Sequence, residues 1–168
     1  VSQCVEGDCQ GGQGQYKLKN GTYTGHFSEG NIHGEGSFVT RRGYSYIGNW
    51  RQGNKEGLGK ESFRKGPSYE GNFSNNQRNG YGQGSLIDTK FMQDIYYDGQ
   101  WSHGSICGQG RLTYVREVKY GRNKALEKNT LSGEFVNGVF QGRLTTPYLD
   151  ELTWEPFSLK MNDFQKYQ

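Results

Sequence analysis

YIGNWRQGNKEGLG, residues 46–59, sets four glycines beside a tyrosine and a tryptophan within fourteen positions. Glycine gives up more backbone freedom on folding than any other residue, so this density needs a structural reason. The stretch recurs as YTGHFSEGNIHGEG from Tyr23, YEGNFSNNQRNGYG from Tyr69, YDGQWSHGSICGQG from Tyr97 and LSGEFVNGVFQGRL from Leu131. The first two intervals are 23 residues each, and the next two are 28 and 34. Extra residues therefore fall between copies, where loops tolerate added length.

Two glycine columns are filled in all five copies: Gly25, Gly48, Gly71, Gly99 and Gly133, then Gly34, Gly57, Gly80, Gly108 and Gly142. An aromatic column is equally complete, with Phe27, Trp50, Phe73, Trp101 and Phe135. Alanine occurs once, at Ala125, against 27 glycines, so helices are disfavoured and aromatic-rich strands are expected. A hydrophobic fraction of 31% is low for a two-layer core and suits a thin, repetitive sheet. No run approaches the length of a membrane-spanning helix.

Parity along a strand turns the repeat into a surface. Tyr46, Gly48 and Trp50 lie two apart and share one face, as Gly57 and Gly59 do on the next strand. Residues 51–56 are expected to form the intervening turn, so each copy reads as a β-hairpin and successive hairpins as one meander. Glycines on the ring-bearing face leave space for neighbouring rings and permit curvature. Asn76 replaces the middle glycine of the third copy, and asparagine tolerates left-handed backbone best after glycine.

The pattern Y-x-G-x-[FW]-x-x-G-x-x-x-G-x-G resembles the MORN (membrane occupation and recognition nexus) repeat. The resemblance implies an all-β, elongated, curved, single-layer antiparallel meander with an aromatic-lined groove. The whole chain, 1–168, reads as one such domain. Residues 1–22 form a degenerate first repeat or cap, 23–144 hold five repeats starting at 23, 46, 69, 97 and 131, and 145–168 form a C-terminal capping segment. The 11-residue excess before the fifth copy reads as a longer hairpin or a contact loop.

No constellation for catalysis emerges, and no cofactor or metal motif. His33 falls in the expected turn, and His103 with Cys107 is the one Cys–His pairing in reach, without an orienting acid. The chain is therefore expected to be a non-catalytic scaffold. Its groove would receive a partner protein's helix or extended segment on Tyr46, Trp50, Tyr69, Phe73, Tyr97 and Trp101.

One alternative is peripheral binding to acidic lipid headgroups through Arg41, Arg42, Lys55, Lys60, Arg64 and Lys65. These lie in a stretch, 41–65, with seven cations against Glu56 and Glu61. Another is carbohydrate binding on the aromatic row. Interleaved basic and aromatic residues in FRKGPSYEGNF follow from the repeat itself, so nucleic acid is not expected as a partner. Open sheet ends leave self-association as a further expectation. Cys4 and Cys9 stand close enough to form a disulfide and leave Cys107 odd, which favours an exported or envelope setting over the cytoplasm.

Overall fold

The computed structural model describes residues 2–87 and 92–142. Its strands are β1 (Gln3–Gly7), β2 (Gln13–Lys17), β3 (Gly21–Ser28), β4 (Asn31–Thr40), β5 (Tyr44–Arg51) and β6 (Asn54–Phe63). Then follow β7 (Ser68–Ser74), β8 (Gln77–Ser85), β9 (Gln93–Ser102), β10 (Ser105–Tyr120), β11 (Asn123–Val136) and β12 (Val139–Phe140). All belong to one sheet in which spatial order equals chain order, an antiparallel meander. At about 4.8 Å between strands, twelve strands extend roughly 50 Å. The C-terminal capping segment expected at 145–168 lies outside the described residues.

The hairpin turns are shorter than the expected 51–56. Arg51 pairs with Asn54, so the turn is only Gln52–Gly53, with φ of 48° and 82°. Glu29–Gly30, His103–Gly104 and Asn137–Gly138 repeat this pair of positive φ values. Such turns match the right-handed twist of the flanking strands. In the third copy Asn75 and Asn76 supply the same geometry, with φ of 47° and 68°. His33 consequently sits on β4, exposed, and not in a turn.

The two glycine columns do different work. Gly48 pairs with Gly59, but two residues on Trp50 pairs with Lys55, so Asn49 faces three residues and the strand bulges. Gly57 occupies that bulge at φ 73°, as Gly34 and Gly80 do in neighbouring copies. The other glycines form a row running across the sheet, Gly25–Gly36–Gly48–Gly59–Gly71–Gly82–Gly99–Gly110 in successive register pairs. Tyr23, Tyr46, Tyr69 and Tyr97 each bend over the glycine pair within their own hairpin: a Cβ on Gly59 would stand 2.3 Å from the Tyr46 hydroxyl oxygen.

The rings supply the core that a single layer otherwise lacks. Tyr23 meets Phe27 and Trp50 edge-on, with centroids 5.3 and 5.5 Å apart, and Tyr46 meets Trp50 and Phe73 at 4.9 and 5.1 Å. Tyr69 meets Phe73 and Trp101, and Tyr97 meets Trp101 and Phe135. Each tyrosine thus links its own repeat's aromatic column to the next repeat's. Such edge-to-face pairs contribute about 0.5–1.5 kcal/mol each beyond burial. The tyrosine hydroxyls donate to the backbone carbonyl three residues on, Tyr46 to Asn49 at 3.0 Å and Tyr69 to Asn72 at 2.9 Å.

At one end, a Cys4–Cys9 disulfide closes the loop leaving β1. At the other, the insertion before the fifth copy is a longer hairpin: β10 and β11 pair continuously from Gly108–Phe135 to Tyr120–Asn123.

Candidate functional site on the ring face

All six rings expected to anchor a partner share the ring-bearing face, and the fold brings them together. They are also buried. Tyr46 and Tyr97 are 0% exposed, Trp101 2% and Trp50 9%. Both neighbours of each tyrosine are rings, and the Trp50 and Trp101 indoles donate to the Gly36 and Gly82 carbonyls at 3.1 Å. Burial pushes the Tyr23 hydroxyl up to about 12 and raises those of Tyr46, Tyr69 and Tyr97 further. These rings form the floor beneath a surface, and do not stand open on it.

Set into that floor are three charges. Lys55 on β6 approaches Glu61 on the same strand at 3.0 Å, and Arg78 on β8 approaches Glu61 at 2.7 Å. Tyr44 donates to Glu61 Oε2 at 2.9 Å and accepts from Lys55 Nζ at 2.9 Å. Lys55 Nζ also lies 4.9 Å from the Phe73 ring centre, and the Arg78 guanidinium lies 4.6 Å from that of Tyr69. Burial alone would raise the Glu61 carboxyl; the Arg78 and Lys55 charges and their hydrogen bonds outweigh it and hold it below the usual carboxylate range. Burial first, then the Glu61 carboxylate, pushes the Tyr44 hydroxyl far up.

Beside this cluster a groove of about 990 Å³ opens, walled by Leu18, Ile32, Phe38, Tyr44 and Trp50 with Lys55 in its lining. Phe38 and Tyr44 are only half-buried, so part of each ring meets solvent. Lys19, Arg41 and Arg42 also line the groove, and no carboxylate among the described residues does.

The six basic candidates separate. Arg41, Arg42, Arg64 and Lys65 are exposed on loops, and the Arg64 N–H donates to Gly43 O at 2.9 Å, which sets two of those loops side by side. Lys60 points to the opposite face and pairs with Glu70 at 3.4 Å. Lys55, 8% exposed and salt-bridged to Glu61, is buried on the ring face and apart from those four. The opposite face carries Ile47, Leu58 and Tyr81 among polar neighbours, all about 60% exposed. His103 is hydrogen-bonded to Ser102, and burial raises the Cys107 thiol, the opposite of what a nucleophile needs.

The MORN repeat family model matches residues 23–43, 46–68, 69–83, 97–116 and 132–143, more than half of the chain. The chain belongs to the MORN repeat family. MORN arrays in general mediate binding to proteins or membranes. No curated protein matches the chain.

Within the MORN frame, the triad is what reading by motif missed. Nine residues after the leading tyrosine stand Ile32, Lys55, Arg78 and Ile106; fifteen after it stand Phe38, Glu61, Gly84 and Leu112. The first and fourth copies fill these columns with apolar residues, and the second and third insert charges. Compared column by column, the sequence carries that signal.

Proposed function

We propose that this MORN array is a non-catalytic binding module that receives a segment of a partner protein on its ring face. One observation carries the reading: the groove walled by Phe38, Tyr44 and Trp50 offers two half-buried aromatic rings, Phe38 and Tyr44, above a floor of buried rings. Side chains held from below lose little freedom when a ligand arrives, which lowers the cost of binding. The six buried rings then act as support, and the contacts fall to Phe38, Tyr44 and the edge of Trp50. Affinity capture from the native source with wild type and with Phe38→Ala/Tyr44→Ala tests it. A partner retained by the first and lost by the second is expected, and equal retention by both contradicts the reading.

A second reading is peripheral binding to an anionic bilayer, favoured by the exposure of Arg41, Arg42, Arg64 and Lys65 together. Basic residues near such a surface contribute about 1 kcal/mol each. Flotation with phosphatidylserine vesicles at low and physiological salt tests it; no retention at either removes it. Carbohydrate stacking is less favoured, because Trp50 and Trp101 are only 9% and 2% exposed. The Cys4–Cys9 bond supports an oxidising compartment for the module.

A further inference from the structure

In a meander, every second connection emerges on the same edge of the sheet. On one edge, the three connections after β2, β4 and β6 bring out Lys17 and Lys19, then Arg41 and Arg42, then Arg64 and Lys65. All six are exposed, and residues 17–20, 40–43 and 64–67 contain no Asp or Glu. The hairpin turns on the other edge, such as Gln52–Gly53 and Asn75–Asn76, contain neither Lys nor Arg. Arg51, at the end of β5, is the one exposed Lys or Arg beside those turns among the described residues, so the cations are concentrated on one rim. A depression of about 320 Å³ lined by Lys17, Lys19 and Arg41 joins the first two loops. The Arg64–Gly43 backbone bond joins the second to the third.

The rim and the aromatic groove are continuous, since Lys19, Arg41 and Arg42 line both. We infer that the segment received on the ring face is an acidic peptide, with carboxylates on this rim and aromatic or aliphatic side chains in the groove. The inference rests on the ring-face reading above and adds the chemistry of the partner. Charge complementarity selects an anion. The recessed groove selects a peptide over a bilayer, because Trp50 and Lys55 lie at 9% and 8% exposure below the rim, within reach of side chains but not of a planar headgroup layer.

The repeat also sets a spacing. Same-edge loops recur every two strands, about 9.6 Å apart. A polyproline-type extended chain advances about 9.3 Å in three residues and returns a side chain to the same side. Acidic residues at every third position, with apolar residues between them, therefore match successive loops.

A random display library of about ten-residue peptides, panned on the full chain, tests the proposal. Ten extended residues cover about three loops. The retained peptides are expected to be rich in Asp and Glu at three-residue spacing together with Trp, Phe or Leu. R41E/R42E is expected to turn that preference towards Lys and Arg. A retained peptide should bind R41E/R42E about tenfold more weakly at low salt, with the gap closing as salt rises. Both arginines are exposed, and a thermal melt equal to wild type checks the fold. Absence of acidic enrichment, or enrichment unchanged in R41E/R42E, overturns the inference. Charge-blind apolar peptides lost on Phe38→Ala/Tyr44→Ala would leave the ring-face reading standing and remove the acidic class; retention of no peptide would remove both. Phosphatidylserine vesicles bound by wild type and lost by R41E/R42E, with no acidic peptide retained, would overturn it in favour of a bilayer.

Discussion

Lys55 Nζ lies 3.0 Å from Glu61 Oε2, although both residues occupy repeat positions that flanking copies fill with Ile32 and Ile106, or with Phe38 and Leu112. Two charges and their Arg78 partner are thus held inside the ring layer, where desolvation is costly and only mutual pairing offsets it.

Removing one member should therefore be worse than removing all. Glu61→Gln is expected to cost about 3–5 kcal/mol by leaving two cations in the floor without their carboxylate. Lys55→Ile/Glu61→Leu/Arg78→Ile, which copies the flanking repeats, should be neutral or up to about 4 kcal/mol stabilising. Urea unfolding of the two variants gives the comparison. A triple variant as weak as the single one would show that the triad itself holds the middle repeats.

The same cluster sets a pH dependence. The Glu61 carboxyl is held below its ordinary value, so its contribution to stability is complete above the unfolded value near pH 4.3 and is lost as pH falls through the folded value. Melting temperature should drop on the acid side in wild type. That drop should be smaller in the apolar triple variant.

Glycine requirements should differ by column. Gly57→Ala meets only the Asn49 side chain, at an ordinary contact of 3.7 Å, so its cost is the left-handed backbone, about 1–2 kcal/mol. Gly59→Ala places a methyl 2.3 Å from the Tyr46 hydroxyl and should cost clearly more, because Tyr46 is wedged between Trp50 and Phe73. Pairing Gly59→Ala with Tyr46→Phe should recover little of the loss in a double-mutant cycle, because the ring carbons Cε2 and Cζ of residue 46 stand 2.5 Å from that methyl as well.

Reduction of Cys4–Cys9 should act locally. A loop this short contributes about 2 kcal/mol by restricting the unfolded chain. In a repeat array that stability stays near its own end. Hydrogen exchange is expected to speed up in β1 and β2 and to stay unchanged from β5 onwards.

The hairpins, their order and the ring-bearing face were legible because Gly48, Trp50 and their counterparts repeat in every copy, and parity along a strand assigns the face. The turn was read too long because Lys55 and Glu56 look like turn residues. Their polarity hid that Lys55 is paired across to Trp50 and buried. The rings were legible as neighbours, but a linear pattern does not say whether rings pack on a ligand or on each other. That depends on Tyr46 bending over the Gly48–Gly59 pair, a three-dimensional fact. The cationic rim was visible only as the charge of 41–65. Its separation from Lys55 and Lys60, and its union with Lys17 and Lys19, comes from which edge each loop leaves.

The central claim is that the ring face, and not its opposite, is the working surface. Ile32 and Ile47 report on the two sides, one in the groove wall and the other 63% exposed on the far face. Methyl-labelled isoleucine spectra recorded while the captured partner is titrated in test the claim directly. The account predicts shifts and broadening at the Ile32 methyl with Ile47 unmoved. The reverse, Ile47 perturbed and Ile32 silent, would contradict it.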